Sequence, residues 1–141
     1  MADLNPLIRY KKFQLDEKRK NLSRLYEQMD VLLGTKSSML NELEAEKNLV
    51  SQNPEDIFAL QNLSHYSSAS KKRIAKTNTD IGKLEARIEI AREDMRLTFG
   101  DLKKIEITQE NRLDEEAKKL EAKETALFDE IGLEMHRRQN K

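Results

Sequence analysis

The sequence predicts an all-α protein, a long antiparallel two-helix coiled-coil hairpin with a break in the first arm near Asn53-Pro54. Apolar residues recur at seven-residue intervals along most of the 141 residues. The composition is the second observation, since 37% of the residues are charged, 5% are aromatic and none is Trp or Cys. A 3.5-residue spacing keeps a narrow apolar stripe against a partner helix, and a highly charged chain suits long solvated helices. Such a fold leaves no room for an enclosed active site.

The apolar repeat runs along both predicted arms. In the first arm, six of seven successive heptad positions are apolar, and these positions are Ile8, Leu15, Leu22, Met29, Lys36, Leu43 and Val50. The second arm repeats the pattern at Ile74, Ile81, Ile88, Met95 and Leu102. Beyond Leu102 the step lengthens to eleven residues, at Leu113 and Glu124, which locally unwinds a supercoil.

Two start signals mark the predicted helices. Asn5 is suited to cap the first helix, with Pro6 at its first position, and this helix is expected to end near Val50. Pro54 disfavours helical backbone at the residue before it. Asn53 is therefore expected to cap a second helix that begins at Pro54.

The hairpin could turn at Asn53-Pro54, which gives unequal arms, or at the serine cluster 67–70, which gives nearly equal ones. Residues 8–24 are net +5, residues 25–70 net −5, residues 71–104 net +4 and residues 105–134 net −6. A turn near Ser68 places the basic segments opposite the acidic ones, whereas a turn at Asn53 leaves the most acidic segment unpaired. Because flanking charges select coiled-coil partners, we predict arm one at 5–66, the tip at 67–70 and arm two at 71–138, within one domain over 1–141.

No catalytic, cofactor-binding or metal site is expected. His65 and His136 lie far apart, and the acidic runs have no pocket around them. The net charge is zero and the aromatic residues do not alternate with basic ones, so no nucleic-acid partner is expected. No apolar run reaches the ~18 residues of a membrane span. The lack of Cys and of an apolar leader suggests a cytoplasmic protein that does not insert into the membrane.

Six aromatic residues are candidates for partner contacts, because interface hot spots favour such side chains. Three of them do not all fit the apolar stripe, and these are Phe58, Tyr66 and Phe99. The other three are expected to cluster where the two termini meet, and these are Tyr10, Phe13 and Phe128. Packing around breaks in the heptad is the alternative explanation.

Several runs, in this order and spacing, resemble the flagellar export protein FliJ family over nearly the full chain. The runs are Leu7-Ile8-Arg9-Tyr10-Lys11-Lys12, Asn53-Pro54-Glu55-Asp56, Leu84-Glu85-Ala86-Arg87-Ile88, Phe99-Gly100-Asp101-Leu102, Gln109-Glu110-Asn111-Arg112 and Phe128-Asp129-Glu130-Ile131-Gly132. Phe128 stands where the family often has Leu.

The resemblance implies a non-enzymatic cytoplasmic component of the flagellar type III export apparatus, free of cofactors, that can also be peripheral at the inner membrane. It implies a coiled coil similar to the central stalk of rotary ATP synthases. The implied partners are the hexameric export ATPase, whose assembly it promotes, the export-gate membrane protein and the export chaperones. On its own the chain is expected to be a monomer.

On the stalk analogy, the two ends of the rod meet different partners. The end with both termini is expected to meet the ATPase ring through Tyr10, Lys11, Lys12, Phe13, Arg137 and Arg138. The tip and the neighbouring arm are expected to meet the gate or the chaperones through Phe58, Tyr66, Lys71 and Lys72. Two alternatives stay open, namely the equivalent stalk of a virulence secretion system and a purely structural scaffold.

Overall fold

Two long helices joined by a short turn make up the computed structural model, which describes residues 3–140. Helix α1 spans Asn5–Gln52 and helix α2 spans Ile57–Gln139. Between residues 3 and 140 there is no strand. The helices pack against each other, so the all-α hairpin predicted from the heptad repeat is confirmed. Among residues 3–140, neither helix contains an apolar stretch of the length that a membrane span requires.

The turn between the helices lies at residues 53–56. The carbonyl of Val50 accepts a hydrogen bond from the Asn53 N–H at 3.1 Å, and the carbonyl of Asn53 accepts one from the Asp56 N–H at 3.2 Å. Proline has no N–H to continue the helical ladder, and it drives the residue before it out of the helical region. The predicted break at Asn53-Pro54 is therefore present, but it is the turn of the hairpin and not an interruption within one arm.

Asp56 caps the start of α2. Its Oδ1 accepts a hydrogen bond from the Ala59 N–H at 3.1 Å, and its carbonyl accepts the first helical bond, from the Leu60 N–H at 3.1 Å. A cap of this kind satisfies a backbone donor that has no partner inside the helix. The prediction that Asn53 is the cap and that the helix begins at Pro54 is wrong by three residues.

At the other start signal, the cap lies before Asn5 and not on it. The carbonyl of Leu4 accepts from the Ile8 N–H at 2.9 Å, and Asp3 Oδ1 accepts from the Asn5 N–H at 3.0 Å. Asn5 is thus already helical. Pro6 falls in the first turn, where its missing N–H leaves no bond unmade.

Contacts divide the described residues into two compact units, which we call the hairpin unit (Leu15–Arg96) and the terminal unit (residues up to Gln14 and from Leu97 onward). In the hairpin unit, Leu22 and Leu25 of α1 bury against Leu84 and Ile88 of α2. The flanking residues packed on this core are Met29, Leu32, Ala91 and Met95. Lys18 precedes this core in α1 and its Nζ lies 3.0 Å from Oδ1 of Asp94, which follows the core in α2, so the two helices run antiparallel.

The prediction of a tip at 67–70, with arms at 5–66 and 71–138, is wrong, because α2 continues through this segment. An exposed ion pair contributes only ~0–1 kcal/mol. A proline in a helix interior costs about 3 kcal/mol, whereas a serine there costs about 0.5 kcal/mol. The Pro54 break therefore outweighs the charge complementarity that favoured Ser68. The single-domain organisation over 1–141 stays a prediction.

The serines contribute to the interface between the helices. Ser70 is 2% exposed and Thr77 is 7% exposed, one heptad apart and in line with Leu84. Thr77 Oγ1 donates to the carbonyl of Arg73 at 3.0 Å. Ser70 Oγ, by contrast, is buried with no hydrogen-bond partner. Small polar residues thus fill seam positions where the heptad count alone would place leucine.

Ser70→Ala is expected to raise the free energy of unfolding by about 1 kcal/mol more than Ser68→Ala does, because it removes a buried hydroxyl that makes no hydrogen bond. Ser68 is exposed on the same helix and controls for the difference in helix propensity. Urea unfolding followed by circular dichroism measures both. Equal effects of the two substitutions would show that the Ser70 hydroxyl carries no desolvation cost.

Asp56→Ala is expected to lower the free energy of unfolding by about 1 kcal/mol, through loss of the bond to the Ala59 N–H. Glu55→Ala, the adjacent exposed carboxylate, is the matched control and is expected to change stability by less than about 0.5 kcal/mol. A thermal unfolding series compares the two. If Glu55→Ala cost as much as Asp56→Ala, general charge at the turn would be responsible and not the cap.

Candidate interaction surfaces

The N-terminal residues of the terminal unit cover α2 as far as Gln109. The Leu4 N–H donates to Gln109 Oε1 at 3.3 Å, and Gln109 Nε2 donates to Asp3 Oδ1 at 3.1 Å. Leu102 is buried, at 4% exposure, and Arg112 is half-buried. From Leu113 to Asn140, every residue is exposed. We call Leu113–Gln139 the free segment of α2.

An apolar stripe runs along the free segment. Its members are spaced alternately by three and four residues, interrupted by Glu124, and they are Leu113, Ala117, Leu120, Leu127 and Ile131. The leucines and the isoleucine are 47–59% exposed. The same heptad spacing builds the buried core of the hairpin unit, so this face has the pattern of a coiled-coil seam without a partner inside the described chain.

Acidic residues flank this stripe. Residues 113–134 hold eight Asp or Glu against three Lys, a net charge of −5. The last turn of α2 is basic, with His136, Arg137 and Arg138, which is favourable beside the negative end of the helix dipole. Arg138 Nη2 lies 3.7 Å from Glu134 Oε1 one turn earlier. The free segment therefore offers a partner an apolar row, an acidic body and a basic end.

Four of the predicted ring-contacting residues lie together on α1. Tyr10 and Phe13 are 56% and 62% exposed and are separated by one helical turn. Lys12 is exposed, and Lys11 is half-buried. Gln14 Nε2 donates to the Tyr10 hydroxyl at 3.1 Å. This part of α1 is thus an exposed aromatic and basic surface in the terminal unit.

Arg137 and Arg138 are exposed but do not join that surface. They lie 28 and 29 residues beyond Gln109 on α2, about 40 Å along the helix, whereas Gln109 is bonded to Leu4. Phe128, 71% exposed, is also on the free segment. The prediction that Tyr10, Phe13 and Phe128 cluster is wrong, because the turn at 53–56 makes α1 too short to reach the end of α2.

The residues predicted for the other end are distributed along α2. Phe58 lies in the first turn of α2, beside the hairpin turn, and is 79% exposed. Tyr66 is half-buried, and Lys71 and Lys72 are exposed. These three lie about 12 to 21 Å farther along the helix than Phe58. Phe58 alone among them is at the turn.

Phe99 and the exposed charged residues near it on α2 make contacts within their own helix. The Lys103 ammonium lies 5.4 Å from the centre of the Phe99 ring, a cation–π contact. The Arg96 guanidinium donates to both carboxylate oxygens of Glu93, at 2.9 and 2.6 Å, and this hydrogen bonding lowers the pKa of that carboxyl below its ordinary value.

Within residues 3–140, no group of three or more His, Cys, Asp or Glu could hold a metal ion.

Sequence reasoning assigned the stripe of the free segment to the packed seam and so missed it as an exposed surface. The signal that identifies it is the Asn53-Pro54 break. With the turn there, α1 has 48 residues against the 83 of α2. Thirty-five residues of α2 then exceed the length of α1, and the acidic segment is the part without cover.

A comparison with protein-family models found a match over residues 1–141 to the family described as Flagellar FliJ protein. This confirms the resemblance to the flagellar family. A search of the curated proteins and a search of the solved structures found no match.

In dilute solution, the amides of the free segment are expected to exchange with deuterium faster than those of residues 81–95 of α2. An isolated helix has only its own hydrogen bonds, whereas residues 81–95 pack on the buried core of the hairpin unit. Hydrogen-exchange mass spectrometry of the intact chain measures both in one sample. Equal protection in the two regions would contradict the absence of a partner for the free segment.

Proposed function

The chain belongs to the flagellar FliJ protein family, whose members are components of the flagellar export apparatus. We therefore propose that it acts as a non-enzymatic stalk for the export ATPase. In this proposal it binds the hexameric ATPase ring and promotes its assembly. It also links the ring to the export-gate membrane protein and to the export chaperones. In this proposed role, the chain acts in the cytoplasm and at the cytoplasmic face of the inner membrane.

The free segment of α2 is the observation that carries the ring proposal. A single helix is about 10–12 Å wide and this segment is about 40 Å long, so its dimensions suit entry into the central opening of a ring. Its apolar stripe is exposed and available to subunits that close around it. Arg137 and Arg138 at its end, and Tyr10, Lys11, Lys12 and Phe13 on α1, then meet the ring at different depths.

Phe58 is the candidate for contact with the gate or the chaperones. Among residues 3–140 it is the most exposed of the large apolar side chains, and it lies beside the turn. Aromatic side chains that become buried are common interface hot spots. Tyr66, Lys71 and Lys72 extend the same proposed surface along α2.

The first test measures hydrolysis by the export ATPase of the same organism, with and without this chain, together with the size of the complex. Stimulation with formation of hexamers is the expected result. Leu120→Ser with Leu127→Ser is expected to weaken ring binding about a hundredfold or more, because two leucines lose their burial in the complex. Absence of binding with a competent ATPase would refute the ring proposal.

Leu33→Ser with Leu49→Ser is the matched control for that variant. Leu33 and Leu49 are 47% and 60% exposed, close to the values of Leu120 and Leu127, but they lie on α1 in the hairpin unit. Ring binding is expected to survive in this control. If the control lost stimulation as well, general loss of surface apolarity would explain both results.

Phe58→Ala is expected to reduce binding to the cytoplasmic part of the gate protein, or to a chaperone, by about tenfold or more while ATPase stimulation is retained. Titration calorimetry with each purified partner measures the first effect, and the hydrolysis assay measures the second. Ile57→Ala, an exposed neighbour, is the control. Unchanged binding of both partners would remove the turn from the proposed contact surface.

A further inference from the structure

The free segment of α2 has a coiled-coil seam with no partner in the described chain, and its charges are arranged to fit a second copy of itself. In contrast to the monomer expected from the sequence, we propose that two copies of this chain associate in solution through an antiparallel pairing of their free segments. The proposal does not depend on the ATPase, because it concerns the chain alone.

The charges that flank the stripe select the register of this pairing. In an antiparallel coiled coil of two identical helices, the residue numbers of two seam residues that face each other add up to a constant. With a sum of 251, Leu120 faces Ile131 of the second copy, and Leu127 faces Glu124. Each contact occurs twice because of the twofold axis. Leu120 and Ile131 then cover each other, and Glu124 faces leucine and not another Glu. At the two ends of the pairing, Leu113 faces Arg138 and Ala117 faces Glu134.

The residues that flank the seam complement each other in this register. On one flank, where the numbers of facing residues add up to 253, Lys123 of one copy faces Glu130 of the other, and Glu116 faces Arg137. By symmetry there are four attractive pairs. On the other flank, where the sum is 249, Glu121 faces Phe128 and Asp114 faces Met135, so no like charges meet there. Flanking charges of this kind set the partner and the orientation in coiled coils.

A parallel, in-register pairing of the same segments has the opposite electrostatics. It places Glu124 against Glu124 within the seam, and it brings Glu116 of one copy beside Glu121 of the other. Like charges at these positions are destabilising. The sequence of the free segment therefore selects the antiparallel dimer, in which its basic end lies beside the acidic start of the second copy.

Analytical ultracentrifugation of the full chain over a micromolar concentration series tests the association. A concentration-dependent dimer is expected. Lys123→Glu is expected to raise the dimer dissociation constant about tenfold, since two attractive pairs become repulsive. Lys123→Glu combined with Glu130→Lys is expected to restore it, because the exchanged charges again oppose each other. Lys118→Glu, on the far side of the same helix, is the matched control and is expected to leave the dimer intact.

Cysteine cross-linking tests the orientation, and the absence of native Cys makes it unambiguous. Leu113→Cys mixed with Arg138→Cys is expected to yield a cross-linked pair, because these residues face each other at the sum of 251. Leu113→Cys alone is expected to yield none, since its two copies lie about 38 Å apart. A monomer at all concentrations, a dimer that Lys123→Glu leaves intact, or self-cross-linking of Leu113→Cys would each overturn the proposal.

Discussion

The structure depends on where the helical backbone is interrupted. Pro54 lacks an N–H and excludes the residue before it from the helix, so α1 ends at Gln52 whatever the side chains on either side prefer. The heptad stripe then decides which faces meet, and Leu22 and Leu25 pack on Leu84 and Ile88. Every later feature follows from this position of the turn, including the length of α2 that α1 cannot cover.

The sequence was sufficient for the parts of the fold that rest on strong terms. Heptads at Leu15, Leu22 and Ile88 predicted two helices and a shared seam, because burial of each such side chain contributes about 1.5–3 kcal/mol. The net charges of the segments favoured a turn near Ser68, but each exposed ion pair contributes little to the free energy of unfolding. The predicted position of the turn was therefore wrong. The candidate surface on α2 was hidden by that error. Its stripe has the same spacing whether a partner is present or not, so only the turn position distinguishes the two cases.

The seam also differs in quality along the hairpin unit. Between Leu63 and Leu84, the positions in line with them are Ser70 and Thr77, which bury small polar side chains where leucine would contribute most. The core of large apolar residues lies instead around Leu25 and Ile88. Stability in this unit is therefore uneven: the packing around Leu25 and Ile88 is more stabilising than the packing around Ser70 and Thr77. Helices of this length can tolerate such a section because the backbone hydrogen bonds are made within each helix.

The proposed stalk role and the proposed dimer use the same surface, and this has a mechanistic consequence. A stripe covered by a second copy is not accessible to an ATPase ring, so the two associations exclude each other at that surface. Ring binding then requires dissociation of the dimer, and its apparent affinity is reduced by the fraction of chain held in pairs. Glu124 in the middle of the stripe limits that fraction, because a carboxylate facing Leu127 weakens the seam. A polar residue in an otherwise apolar seam thus keeps the self-association weak enough to be displaced by a ring that offers a larger interface.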